Sequence, residues 1–156
     1  MWLLSLCACA SDLGRTLERI ERQVASAPDS AYTALCAIDK SRLSDKGDKA
    51  LYNLLMSEAM YKLYMEEDND SIITLVCQYY KTRPDKQRFM RALFMKAIIE
   101  YYGHEYPQSL ITAREAEAVA LSLDNYEYLA KIYEHMSDLY NITLNPEEDF
   151  KYSTLA

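Results

Sequence analysis

Apolar positions along the chain recur at steps of three and four with no run of strict alternation, which predicts amphipathic helices rather than strands. Leu13, Leu17, Ile20 and Val24 fall on one face of a first helix, with Arg15, Glu18, Arg19, Glu21 and Arg22 on the other. Ser11 or Asp12 can cap its free N–H groups, and it ends near Pro28. A second helix follows over 31–38, started by Pro28 and capped by Asp29 or Ser30, and 41–47 is the connection onward. The stretch 52–106, rich in apolar and aromatic residues, organises the rest. Around it the pattern predicts helices over 48–66, 71–81, 86–102, 108–123 and 126–140. After Asn145 and Pro146 a last helix would run over 147–156, Pro146 suiting its first position. The connections are short, so neighbouring helices are antiparallel. The expected fold class is all-α, built of successive helical hairpins.

Composition narrows this further. With 156 residues, 50% of them hydrophobic and only 3 Gly and 4 Pro, the chain can bury one domain core but lacks the breakers of a strand-and-turn fold. A net charge of -7 with no basic stripe argues against nucleic acid as the partner. The 14 Tyr against 3 Phe and 1 Trp suit helix seams that border a groove, because a tyrosine buries its ring and keeps a hydroxyl for solvent or a partner. Core packing is the simpler reading of any single one. Cys36 and Cys77 sit within apolar helical stretches and read as small buried hydrophobes.

Little in the chain points to catalysis. His104 falls in a turn and His135 on a helix, and neither belongs to a metal-ligand spacing. The glycines at positions 14, 47 and 103 form no phosphate-binding loop. The acidic runs at 66–70 and 147–149 lack the glycine and spacing of an EF-hand, and read as solvated helix ends. We expect no catalytic residue, no metal site and no cofactor.

The first ten residues are different. Trp2 to Ala10 is a short apolar run with small residues at its end, like the tail of a secretory signal peptide, and it is too short to span a bilayer. Leu6-Cys7-Ala8-Cys9 resembles a bacterial lipobox in which Cys9 receives the diacylglycerol. Residues 1–10 are therefore expected to be a signal remnant and 11–156 a helical domain, lipid-anchored to a membrane in the periplasm or outer membrane.

Three helices share a register: Tyr52-x-x-Leu55-Met56-x-x-Ala59, Phe94-x-x-Ala97-Ile98-x-x-Tyr101 and Tyr133-x-x-Met136-Ser137-x-x-Tyr140. This is similar to the first helix of a tetratricopeptide repeat (TPR), Trp-x-x-Leu-Gly-x-x-Tyr, without its glycine and at a period near forty rather than ~34 residues. Tyr106, Ser109, Ala113 and Ala116 match the small positions of a second helix, as do Pro146, Asp149, Ser153 and Ala156 less cleanly. The stretch 13–116, with Pro28-Asp29-Ser30-Ala31, Ile38-Asp39-x-Ser41-Arg42-Leu43 and Lys49-Ala50-Leu51-Tyr52, resembles the N-terminal region of TPR-containing proteins of Bacteroidetes. Asp29-Ser30-Ala31 and Asp70-Ser71-Ile72 also resemble the O-glycan sites of exported proteins there, and helix capping explains both triplets equally well.

The resemblance implies a TPR-like right-handed superhelix, incomplete at its C-terminus. It further implies a non-catalytic scaffold for a protein or peptide partner, whose concave groove would be lined by Asn53, Ser57, Met60 and Tyr61, then Met95, Ile99 and Tyr102, then Lys131, Glu134, Asp138 and Asn141. Alternatives are the extracytoplasmic sensor fragment of a membrane-spanning helix-turn-helix regulator, a cytosolic TPR adaptor, or a helical hydrolase or sugar-binding lipoprotein. The last two lack, respectively, a nucleophile paired with a base and a tryptophan platform beyond Trp2.

Overall fold

The computed structural model describes residues 12–142 together with 154 and 155. The described residues are all-α: α1 (Asp12–Gln23), α2 (Pro28–Cys36), α3 (Lys46–Lys62), α4 (Ser71–Lys81), α5 (Lys86–Tyr102), α6 (Tyr106–Ser122) and α7 (Tyr126–Ile142), with a 3-10 turn at Lys40–Arg42 and no strand. Each helix packs on the next in sequence, and α1, α3, α5 and α7 also pack successively on one another. The odd-numbered helices thus make a continuous layer, and α2, α4 and α6 each seat against the two odd-numbered helices that flank them. Helices α3, α5 and α7 are 17 residues long and start 40 residues apart.

Two apolar clusters hold this arrangement. The first joins α1, α2 and α3 through Leu17, Ile20, Leu35, Leu51 and Leu55. The second runs from α3 to α7 through Leu54, Ile73, Met90, Phe94, Ile132 and Met136. Burying one such side chain contributes ~1.5–3 kcal/mol, and the stripes at three- and four-residue steps make that burial possible. On α6 the buried residues are small: Ser109, Ala113, Ala116 and Ala120 are all 0% exposed, so the helix backbone lies close against α5 and α7. Ser109, Ala113 and Ala116 are three of the small positions expected from the sequence.

The hairpins end in one recurring turn. Tyr64, His104 and Asp124 each stand two residues past the end of α3, α5 or α6 and adopt left-handed φ values of 56, 60 and 51°. The following N–H reaches back five residues in each case, Met65 to Met60, Glu105 to Glu100 and Asn125 to Ala120. This is the Schellman arrangement, with a non-glycine residue where glycine is usual. Gly103 is needed for space instead: a Cβ there would stand 3.1 Å from the Asp68 carbonyl oxygen.

Several boundaries and caps depart from the sequence expectation. Helix α3 stops at Lys62 rather than 66, because the left-handed turn at Tyr64 ends it. Helix α2 starts at Pro28 with Ala27 as its N-cap residue, so neither Asp29 nor Ser30 caps it. At α4, Asn69 Oδ1 accepts from the Ser71 N–H, while Asp70 accepts from Thr74 and Lys96 instead. Cys36 is exposed rather than buried: α2 buries only Ala31 and Leu35, and Cys36 lies beyond that narrow stripe. Cys77 is buried, and desolvation pushes its thiol up to about 12. Of the helix expected after Pro146, only residues 154 and 155 are described.

Candidate functional site

The layer of odd-numbered helices bounds a cleft of about 520 Å³, within the roughly 300–1,000 Å³ of ligand pockets. Its floor is α5, with Arg91, Phe94 and Met95. One wall is α1, the turn after it and α3, through Glu21, Val24, Ala25, Glu58, Tyr61 and Lys62, and the other is α7, through Glu127, Tyr128, Lys131 and Glu134. A second hollow of about 480 Å³ shares Ala25, Tyr61 and Lys62 with it and continues past Pro28, Tyr64 and Tyr102.

A chain of ion pairs runs beneath one end of the cleft. Arg91 meets Glu58 in a two-pronged contact, Nε to Oε1 at 2.7 Å and Nη2 to Oε2 at 2.6 Å, and also bonds Glu21. Arg88 meets the same Glu21 through Nε at 3.0 Å and Nη2 at 2.6 Å, and pairs with Asp85 at 3.2 Å. The Arg91, Glu58 and Glu21 side chains are 12%, 6% and 17% exposed, so the two pairs of Arg91 join α5 to α3 and α1 largely out of water. Burial by itself would raise the Glu21 carboxyl, but the hydrogen bond from Arg88 and the charge of Arg91 outweigh it and hold Glu21 below its ordinary value.

The rest of the lining is aromatic with a charged rim. Phe94 makes edge-to-face contacts with Tyr61 at 6.2 Å, Tyr128 at 5.9 Å and His135 at 6.3 Å. Lys131 bonds Glu127 at 2.6 Å while its ammonium stands 4.6 Å from the centre of the Tyr128 ring. Burial raises the Tyr128 hydroxyl, with Glu58 adding to it. The Tyr61 hydroxyl is raised by burial and next by Glu134, with Tyr102, Tyr64 and Asp138 contributing.

Ser109 and His135 meet under this floor at 2.9 Å. The Ser109 hydroxyl donates to the Ala97 carbonyl at 2.7 Å, so it accepts from the imidazole Nε2–H. A serine whose proton is spent on a backbone carbonyl is not activated by that histidine, and the pair is a buried structural link between α5, α6 and α7. Desolvation pulls His135 down to about 4.

The groove residues expected from the sequence divide between two places. Ser57, Met60, Tyr61, Met95, Ile99 and Tyr102 converge on a crevice of about 10 Å³, room for about one water. Ile99 is 3% exposed and Ser57 donates to Glu67 at 3.2 Å, so these two belong to the packed interior, while Met95, also 3% exposed, reaches the cleft floor with only a small part of its surface. Tyr61, Met95, Lys131 and Glu134 line the 520 Å³ cleft. Asn53 is half-buried on α3, and Asp138 and Asn141 are exposed on α7; all three lie outside both hollows. The acidic turn at 66–70 is not simply solvated, since burial raises the Glu67 carboxyl and Asp70 bonds Lys96 at 2.6 Å. Cys9 and the run 147–149 lie outside the described residues.

Sequence reasoning missed Glu21, Glu58, Arg88 and Arg91. The signal was there: Glu58 interrupts an apolar helical face between Leu55 and Ala59, and Arg91 is the one charge in the otherwise apolar run 89–95. A charge in such a position must find an opposite charge when the face is buried. No protein-family model, curated protein or solved structure matches the chain. Among the described residues no helix is long and apolar enough to cross a membrane.

Proposed function

We propose that the chain is a non-catalytic helical-repeat scaffold that captures a protein or peptide segment in the cleft formed by α1, α3, α5 and α7. The observation that carries this reading is the cleft itself. It opens on the one layer that successive hairpins share, its floor and walls come from four helices, and its lining pairs an aromatic base with a charged rim. Such a lining suits a chain segment with an apolar anchor and polar flanks. The TPR-like superhelix belongs to the same proposal, supported by the succession of odd-numbered helices and the small residues of α6, while the 40-residue step is longer than the ~34 residues of that repeat. The lipobox-like Leu6-Cys7-Ala8-Cys9 carries the companion proposal that Cys9 anchors the scaffold to an envelope membrane.

Selection of a random peptide library on the full chain tests the scaffold reading. Sequences that bind should lose at least about tenfold in affinity on Tyr61→Ala, a side chain common to the cleft and its extension, with the far-UV spectrum unchanged. Enriched sequences that bind the Tyr61→Ala protein undiminished would place recognition elsewhere.

A further inference from the structure

The cleft has two comparable stations along α7, and only one of them holds a cation. At the first, Lys131 lies on the Glu127 carboxylate and over the Tyr128 ring, a carboxylate and a tyrosine sharing one ammonium. Two turns along the helix from Glu127, Glu134 lines the same cleft as Tyr61, where its charge acts on the Tyr61 hydroxyl, and Asp138 follows one turn later. No cation answers Glu134 among the described residues. Arg91 is taken up by Glu58 and Glu21 and Lys131 by Glu127, and Lys62, which also lines the cleft, makes no ion pair with Glu134. The chain as a whole carries a net charge of -7, which draws cationic partners toward it.

We propose that the cleft receives a lysine or arginine side chain of an extended partner segment, its cation seated between Tyr61 and Glu134. The charge complementarity is local. The filled station shows that this wall holds an ammonium with one carboxylate and one tyrosine, and the second station offers the same pair of groups with the place for the cation open to a partner. Tyr61 contributes an aromatic surface and Glu134 a charge, and Phe94 fixes the Tyr61 ring from below through its edge-to-face contact. The inference rests on the peptide-binding reading above and adds the chemistry of the occupant.

The test uses fluorescein-labelled, end-blocked decapeptides of Gly, Ser and Leu that carry two Arg or Lys residues, beside the same peptides with Glu or Gln in those positions. Fluorescence anisotropy with the full chain should show binding of the basic probes alone. That binding should weaken between roughly 50 and about 300 mM salt. Glu134→Lys should weaken it by at least about tenfold, and Glu134→Gln by less. Glu115→Lys, an equal change of charge on α6 outside the cleft, should have little effect. Preferential binding of the acidic probes, or equal weakening by Glu134→Lys and Glu115→Lys, overturns the cation seat and leaves the peptide scaffold standing. Failure of every probe to bind an intact, helical protein at millimolar peptide overturns both.

Discussion

The two ends of the molecule are closed by different physics. Helices α1 and α2 meet α3 through aliphatic side chains, with Leu17, Ile20, Leu35 and Leu55 fully buried. The α5 to α7 end adds polar links to its apolar packing: Ser109 and His135 under Phe94, and Lys96 between Asp70 and Glu100. Between the ends lies the charged joint of Glu21, Glu58, Arg88 and Arg91, where α1 and α3 are tied to α5. Apolar packing tolerates several shapes of similar volume, whereas a two-pronged Arg–Glu contact admits one geometry. The difference teaches that hydrophobic burial builds each end, and the ion pairs set how one end meets the other along the cleft.

The joint gives the largest expected effect. Arg91→Ala leaves Glu58 buried without its partner and should cost ~3–5 kcal/mol in urea unfolding. A loss below ~1 kcal/mol would make the joint equivalent to a surface pair and erase the contrast.

Acid should separate the ends. The folded-state value of His135, about 4 against an ordinary 6.5, is depressed, so the unfolded chain binds the proton first as pH falls. The stability due to neutral His135 is complete above pH 6.5 and is lost between there and about pH 4, amounting to ~3 kcal/mol. Glu21 is also depressed and holds its share until the pH falls below the ordinary carboxylate value of 4.5. Hydrogen exchange near pH 5 should therefore loosen α6 and α7 before α1, and His135→Gln should remove that order. Simultaneous loosening of both ends would contradict the assignment.

The smallest effect sharpens the comparison at the turns. Tyr64 is 92% exposed and left-handed, so Tyr64→Gly relieves strain without removing packing and should stabilise by ~1 kcal/mol. His104→Gly should yield less, because His104 Nδ1 is 2.8 Å from the Tyr106 hydroxyl and that contact is lost. Differential scanning calorimetry of the two variants gives the ranking.

The helices were legible in the sequence because each has an apolar stripe of the right period and a breaker nearby: Pro28, Pro84, Gly103 and Pro107 all stand at or beside helix boundaries. The end of α3 was not legible, since a tyrosine in a left-handed turn carries no glycine signal. The site was legible in half. Tyr61, Lys131 and Glu134 follow from the register of the repeated helices, and all three line the cleft. Met95 shares that register and shows only 3% of its surface on the cleft floor, and Ile99 is buried away from it, because helical spacing gives the direction of a side chain but not how near the next helix lies. Glu58 and Arg91 stood out in the sequence as charges within apolar stretches, but their pairing with each other and with Glu21 was hidden by sequence distance, the partners being 33 and 70 residues apart.

Binding in the cleft is the claim on which the account depends, and NMR shift mapping with the arginine-containing decapeptide tests it most directly. Titration should move the signals of Tyr61, Phe94, Tyr128 and Glu134 together, with one affinity. Movement confined to the opposite face, around Leu75 on α4 and Ile111 on α6, would contradict it.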